Sequence, residues 1–467
     1  MTGFNGAGSA KNKFQAETLR ALFAEIIQAV HYEELPPEVV IQSKKCLLDL
    51  IGVTLAGGDL GISPIATRLI GSMGGKAEAS VIGKNLKLPA HAAAFLNSVQ
   101  GHALDMDDGH RFAHGHPGVV TIPAALAMTE TTGLSGRQLL EAIVVGYEIF
   151  GRLGTAINPN HLSKGFHTTA TIGTFAAAAA AAKILCLSQS QIEHSLALAG
   201  LQSAGLLEAL VSGQMSKSFQ VGKAAQAGVL AACLAKDGAQ GPNLIFEGQK
   251  GFFRAFSDKS HEMDPFFDNP GDQFEILKAY FKGHAACRHA HASLDAVNEI
   301  RKRQKLDVAK IDSIEVDTYT VAIQIAGQHT GRDSAIAAKF SIPVSIGLML
   351  VLGNAAPDAY TDQNINNDMV QAFADKVIIQ ASSKRDKAYP GQRSARVSIK
   401  AGQQEFSHEV LVAKGEPENP LSDNELLDKF IGNATKILSN ARSLELSDLI
   451  LHIEKENVSN IFQLATP

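Results

Sequence analysis

Seven consecutive alanines, Ala176–Ala182, sit inside the stretch "TIGTFAAAAAAAKIL". Alanine has the highest helix propensity of any residue, and a helix made of it carries almost no side-chain bulk. Neighbouring helices can approach such a helix closely on every side. The run therefore predicts a slim helix in the middle of a helical bundle, which sets the fold class as mainly α. The flanking segments agree. "PPEVVIQSKKCLLDLIGVTLAG" has prolines at a helix entry and glycine at its end. "SGRQLLEAIVVGYEIFGRLGTAI" spaces its apolar residues by three and four, and "LSQSQIEHSLALAGLQSAG" opens on serines that can cap.

The helical pattern runs from about Phe14 to Ala255, and "DKSHEMDPFFDNPGDQ" (Asp258–Gln273) then reads as a polar loop or domain edge. Beyond it the pattern changes. Lys310–Ile325 alternates and is rich in β-branched residues, predicting a strand, and Ala395–Ala413 reads as a hairpin turning at Ala401-Gly402. The segment between them looks helical. Ser422 and Glu425 form a capping-box pattern that returns the chain to helix. The expected architecture is a large all-helical domain (residues 14–270 and 416–467) with a smaller α+β lid (residues 271–415) inserted before the C-terminal helices.

At 467 residues, two or three folding units are expected. A 45% hydrophobic composition without tryptophan implies a core of aliphatic residues and phenylalanine. The net charge of −5, with no basic stripe, argues against a nucleic-acid partner. No apolar run reaches the roughly 18 residues that suggest a membrane span. The N-terminal "MTGFNGAGSAKNKF" has no apolar secretory core and no arginine, so it reads as a disordered lead-in to a cytoplasmic protein. Cys46, Cys186, Cys233 and Cys287 form no CxxC, which suits a reducing compartment and not a structural zinc site.

Titratable chemistry is concentrated in "GHALDMDDGHRFAHGHPG", residues 101–118. Three readings fit it. A metal site is one, with His110 and His114 at helical spacing, although Gly109, Gly115 and Pro117 oppose a continuous helix there and no HExxH occurs. Helix-capping aspartates with solvated histidines are another. The third is an acid–base cluster in which an aspartate orients an imidazole. His116 in "HPG" stands just before a helix, where free N–H groups attract carboxylates. Further on, His167 precedes the alanine helix, as a cap or as part of a site. Lys217 and Lys223 lie among small residues, as solvated side chains or as partners for a substrate carboxylate. "KAYFKGHAACRHAHASLDAV" gathers Lys278, Lys282, His284, Arg288, His289 and His291, either a charged turn or an anion pocket. With no phosphate loop and no GxGxxG, the sum suits a small di- or tricarboxylic acid.

In order, "LDMDD…HPG", "GFHTTATIGTFAAAAAAAKIL", "MSKSFQVGKAAQAG", "KGHAACRHAHASLDAV", "AKFSIPVSIG" and "YPGQRSARVSI" resemble the MmgE/PrpD family over nearly the whole chain. That family includes 2-methylcitrate dehydratases, cis-aconitate decarboxylases and iminodisuccinate epimerases. The resemblance implies a homodimer with the site between a helical domain and a lid. By motif it assigns the pocket to Asp105, His116, His167, Lys217 and Lys282; His110, Tyr147, His284 and Arg288 are expected beside them as substrate contacts. The expected activity is a cofactor-independent hydro-lyase resembling 2-methylcitrate dehydratase, with no metal. An epimerase or decarboxylase is the alternative, then a non-catalytic carboxylate-binding protein or a metal-dependent hydrolase. The chain departs from the pattern at Gly109, where many dehydratases carry threonine, and at His284-Ala285, where relatives often carry an aromatic–Pro or Tyr–Ala pair.

Overall fold

The computed structural model describes residues 17–211, 216–258, 273–303, 306–327 and 333–467. The expected lead-in before Phe14 and most of the expected loop at Asp258–Gln273 lie outside the described residues.

The helical body is built from α1 (Pro37–Gly57), α2 (Ala90–His102), α3 (Gly118–Thr132), α4 (Gly136–Ile157), α5 (Thr168–Ile184) and α6 (Lys217–Lys236). The alanine helix α5 is at its centre, packed against α3, α4 and α6, and all seven alanines are fully buried. Small residues set these distances. A Cβ added to Gly228 of α6 would lie 2.5 Å from Ala177 Cβ, and one on Gly173 of α5 would lie 2.8 Å from Val120 of α3. Both are below any ordinary contact, so the helices meet backbone to backbone.

The later part of the chain forms a four-stranded sheet from β1 (Ile311–Thr318), β2 (Val377–Ala381), β3 (Ala395–Ala401) and β4 (Gln404–Val410), in the order β2-β1-β3-β4. β1 runs parallel to β2 and antiparallel to β3, and β3–β4 is a hairpin. Gly402, at φ 60°, takes the left-handed turn position that favours glycine. Helix α7 (His291–Arg303) packs on β3 and β4, and α8 (Ile342–Leu352) packs on α7. The fold is mainly helical with one small sheet, as the patterning indicates. The chain then returns to helix at α9 (Asp423–Ala434), whose Ser422/Glu425 capping box is formed and which packs on α1.

One element differs from its pattern. The strand expected over Lys310–Ile325 stops at Thr318, and Thr320–Ala326 is helical. The Asp386 carboxylate accepts the Thr320 backbone N–H at 2.7 Å and its hydroxyl at 2.9 Å, which anchors the new helix start. This tertiary capping overrides the β-branched propensity of Val321 and Ile323. No described helix is long and apolar enough to cross a membrane.

Candidate active site

Helix α2 ends at His102, and the chain turns through Asp105, which sits at φ 54°. Aspartate tolerates this left-handed conformation better than most residues. The turn aims its carboxylate at two ammonium groups. Lys217, the first residue of α6, bonds Asp105 Oδ1. Lys282 Nζ lies 3.1 Å from Oδ2 and donates to the Asp105 carbonyl at 2.7 Å. Lys282 reaches this point because Ala279–Tyr280 pairs antiparallel with Gly109–His110. Its side chain is only 1% exposed. Burial works to raise the Asp105 carboxyl, but Lys217 and Lys282 outweigh it and hold it well below the usual carboxylate range.

Asp107 and His116 lie beside this cluster. His102 Nδ1 is 2.8 Å and His116 Nδ1 3.3 Å from Asp107 Oδ2. His116 Nδ1 also faces the Asp108 carbonyl at 2.7 Å. A carbonyl only accepts, so the proton sits on Nδ1 and Nε2 carries a free lone pair. Burial pushes His116 down to about 3, the Asp107 charge opposing only in part. Burial and then Lys217 push His167 well below its usual value. Both rings are therefore neutral at physiological pH. Burial also pushes the Asp108 carboxyl up to about 8, against the Tyr147 hydrogen bond. Asp108 accepts the Gly118 N–H at 3.2 Å and the Tyr147 hydroxyl at 2.8 Å.

Asp105, His116, His167, Lys217 and Lys282 face a cavity of about 100 Å³. Three helices begin at its wall. His116 lies just before α3, His167 is the N-terminal flanking residue of α5, and Lys217 opens α6. The positive ends of three helix dipoles and two lysines act on the same small volume. His167 does not cap α5 with its side chain, and its buried Nδ1 has no hydrogen-bond partner among the described residues. The capping role open to this histidine is therefore not the one it takes.

Asp105, His116, His167, Lys217, Lys282 and Arg288 all line the cavity. Three expected substrate contacts do not. His110 bonds Glu275 at 3.0 Å, Tyr147 is turned onto Asp108, and His284 bonds Asp295 at 2.8 Å. Each is held by a carboxylate outside the cavity, so their nearness in sequence to site residues does not carry into space. Arg288 lines the wall, but its donors are engaged by Glu416, His291 and the carbonyls of Ala413 and Lys414. It therefore shapes the wall, in place of the expected substrate contact. His110 and His114 also part company. His114 faces the Tyr389 hydroxyl at 3.3 Å, so the helical-spacing metal pair is not formed.

The cavity is also lined by His114 and His289, which the sequence marked in other readings, and by Thr169, Tyr280, Cys287, Phe340 and Arg393, which it did not single out. Thr169, Cys287, Phe340 and Arg393 lie inside segments that carry the family resemblance, which was the available hint for them. The departure at Gly109 has a steric reason. A Cβ there would lie 2.3 Å from the Tyr280 hydroxyl oxygen, so Tyr280 occupies the space of any side chain at that position.

Among the described residues, His102, Asp107 and His116 bring potential metal-ligand atoms within 4.8 Å of one another. Both rings, however, face Asp107 through Nδ1–H. Ligation through those nitrogens would require losing the protons that order the trio.

Helix N-termini, ammonium groups and neutral imidazoles surround one small volume in a mainly helical protein. The chain belongs to the MmgE/PrpD family. Residues 21–263 match the MmgE/PrpD N-terminal domain and residues 284–454 the MmgE/PrpD C-terminal domain. It is 28% identical to the cis-aconitate decarboxylase of Homo sapiens, over 89% of this chain and 88% of that protein. It is 27% identical to the cis-aconitate decarboxylase-like protein oryM of Aspergillus oryzae, over 92% and 94%. The cis-aconitate decarboxylase of Aspergillus terreus is 26% identical, over 91% and 90%.

Proposed function

We propose that this protein is a lyase for a small polycarboxylic acid and that it works through a carbanion formed beside a carboxylate, with no cofactor. The observation that carries the reading is the convergence of Lys217, Lys282 and Asp105 with the neutral rings of His116 and His167 on one cavity. Charge accumulating on a substrate carboxylate in the transition state is the chemical obstacle. Preorganised ammonium groups and helix N-termini in a water-poor site lower it most effectively.

Decarboxylation of a cis-aconitate-like acid is the first form of the reading, supported by the relatives of that name. The C–C bond to one carboxylate breaks, CO2 leaves, and the electron pair stays on a carbon conjugated with the remaining unsaturated acid. A proton then quenches that carbon. Lys217, paired to Asp105, and His167 line the cavity and are the donors to consider. Dehydration of a 2-methylcitrate-like acid is the second form. It is favoured by the unprotonated Nε2 of His116, which suits removal of a proton α to a carboxylate. Epimerisation of a dicarboxylate uses the same base and returns the proton to the opposite face.

The test is turnover of cis-aconitate and of 2-methylcitrate in D2O, followed by NMR. One acid is expected to be consumed, with deuterium in the product if carbon is reprotonated. His116→Ala and Lys217→Ala should each lower turnover by about 100-fold or more. Full turnover in both variants contradicts the assigned roles, and binding without turnover points to a non-catalytic carboxylate-binding protein. The reading includes a cytoplasmic homodimer. Four free cysteines suit the compartment, and Ile65, Leu69 and Met73, exposed at four-residue spacing on one helix face, suit the dimer.

A further inference from the structure

Four arginines are buried among the described residues: Arg111, Arg288, Arg385 and Arg393. Three have carboxylate partners. Arg111 pairs with Glu418 and Glu416, Arg288 with Glu416, and Arg385 with Asp317 and Glu409. Arg393 has no carboxylate within ion-pair distance among the described residues. It is 6% exposed and lines the cavity. One terminal nitrogen donates to the Arg111 carbonyl at 3.0 Å, and the other lies at the limit of hydrogen bonding, 3.5 Å from the Tyr280 hydroxyl. Its buried Nε–H has no hydrogen-bond partner among the described residues.

A buried guanidinium without an anion is costly unless something pairs with it. Glu416 acts on it only from beyond ion-pair distance and is already paired with Arg111 and Arg288. The Tyr280 ring lies 5.6 Å from the guanidinium carbon, and the lining histidines His114 and His289 are held neutral, burial being the largest cause and Arg393 the next. Arg393 belongs to a polar group distinct from that of Asp105. His289 bonds Tyr319, Tyr319 stacks on Tyr389, and Tyr389 faces His114. The cavity thus has one wall built around Asp105, Lys217 and Lys282 and another built around Arg393 and Tyr280.

The geometry points to Arg393 as the clamp for a substrate carboxylate that the reaction leaves in place, and so as the residue that sets how many carboxylates the site requires. A guanidinium edge is a planar fork that fits a carboxylate, and Arg393 has donors not taken up by any carboxylate among the described residues. Gly109 makes this wall possible, because only a residue without a side chain leaves Tyr280 its place beside Arg393. The inference rests on the proposed polycarboxylate chemistry.

Three unreactive probes test it by calorimetry on the full chain. Tricarballylate has three carboxylates. Glutarate lacks its central one, and methylsuccinate lacks one terminal one. Wild type should bind tricarballylate most tightly. Arg393→Gln should weaken tricarballylate by about tenfold or more, yet weaken one of the two dicarboxylates by less than about twofold, because that probe lacks the carboxylate Arg393 holds. The ligand-free melting temperature of Arg393→Gln should be equal to or above that of wild type, since an unpaired buried charge is removed. Arg393→Lys, which keeps the charge and loses the fork, should show the same selective pattern, and it serves if the glutamine variant does not fold. Equal weakening of all three probes, no weakening, or a clear drop in melting temperature without ligand overturns the clamp while leaving the proposed reaction standing. Failure of wild type to bind any of the three overturns both.

Discussion

Asp105 holds two ammonium groups on one carboxylate, in a backbone conformation that asparagine also tolerates. Asp105→Asn therefore isolates the charge change from the backbone. It leaves Lys217 and Lys282 without their counter-ion, and removal of one partner of a buried pair costs about 3–5 kcal/mol. Urea denaturation at pH 7 should show a loss of that order, partly restored by tricarballylate; unchanged stability would mean the pairs carry little. A second consequence concerns protons. His116 and His167 are neutral in the free site because burial depresses their pKa values. A bound polycarboxylate favours their protonated forms. Binding of tricarballylate should thus take up protons, seen as a binding heat that varies with the ionisation enthalpy of the buffer. At this scale the sequence was informative where a motif couples residue type to a helix start, as with His116, His167 and Lys217. It misled for His110, Tyr147 and His284, because neighbours in sequence can point to opposite sides of a wall. Arg393 was hidden because nothing local marks an arginine as unpaired.

The alanine helix is the element on which the body depends, and its slimness was legible from composition alone. Its partner α6 meets it through Gly228, where an added Cβ would also lie 2.6 Å from the Ala178 backbone nitrogen. That contact cannot yield as a flexible side chain would. Gly228→Ala should destabilise by about 1–3 kcal/mol through overpacking, although alanine is the better helix former. A thermal melt showing stabilisation would mean that α5 and α6 can separate without cost. The segment from Thr320 to Ala326 shows the opposite limit of local reading. Its β-branched residues match a strand, but the Asp386 cap that starts the helix is remote in sequence.

Among the described residues, eight buried or half-buried histidines have pKa values below the ordinary 6.5: His91, His102, His114, His116, His161, His167, His289 and His291. Below pH 6.5 the unfolded chain binds more protons than the folded one, so stability is full above that value and falls as pH drops toward 4. Asp108, raised to about 8, acts in the opposite sense and loses stability as pH rises from about 4 to 8. Burial raises Asp49 and Glu148 in the same sense, so three carboxyls stand against eight histidines, and each proton of difference is worth about 1.4 kcal/mol per pH unit. The urea midpoint should therefore fall clearly from pH 7 to pH 5, and a flat profile would show that the imidazoles are not buried neutral. If the exposed stripe Ile65–Leu69–Met73 joins two copies, light scattering should give about twice 49.5 kDa, and Leu69→Glu should halve it. The most direct test of the central claim follows cis-aconitate and 2-methylcitrate with wild type and Lys217→Ala in D2O by NMR. Consumption of one of them by wild type, reduced about 100-fold or more in the variant, is the predicted result. Folded wild-type protein that leaves both acids unchanged, or a variant as active as wild type, would contradict it.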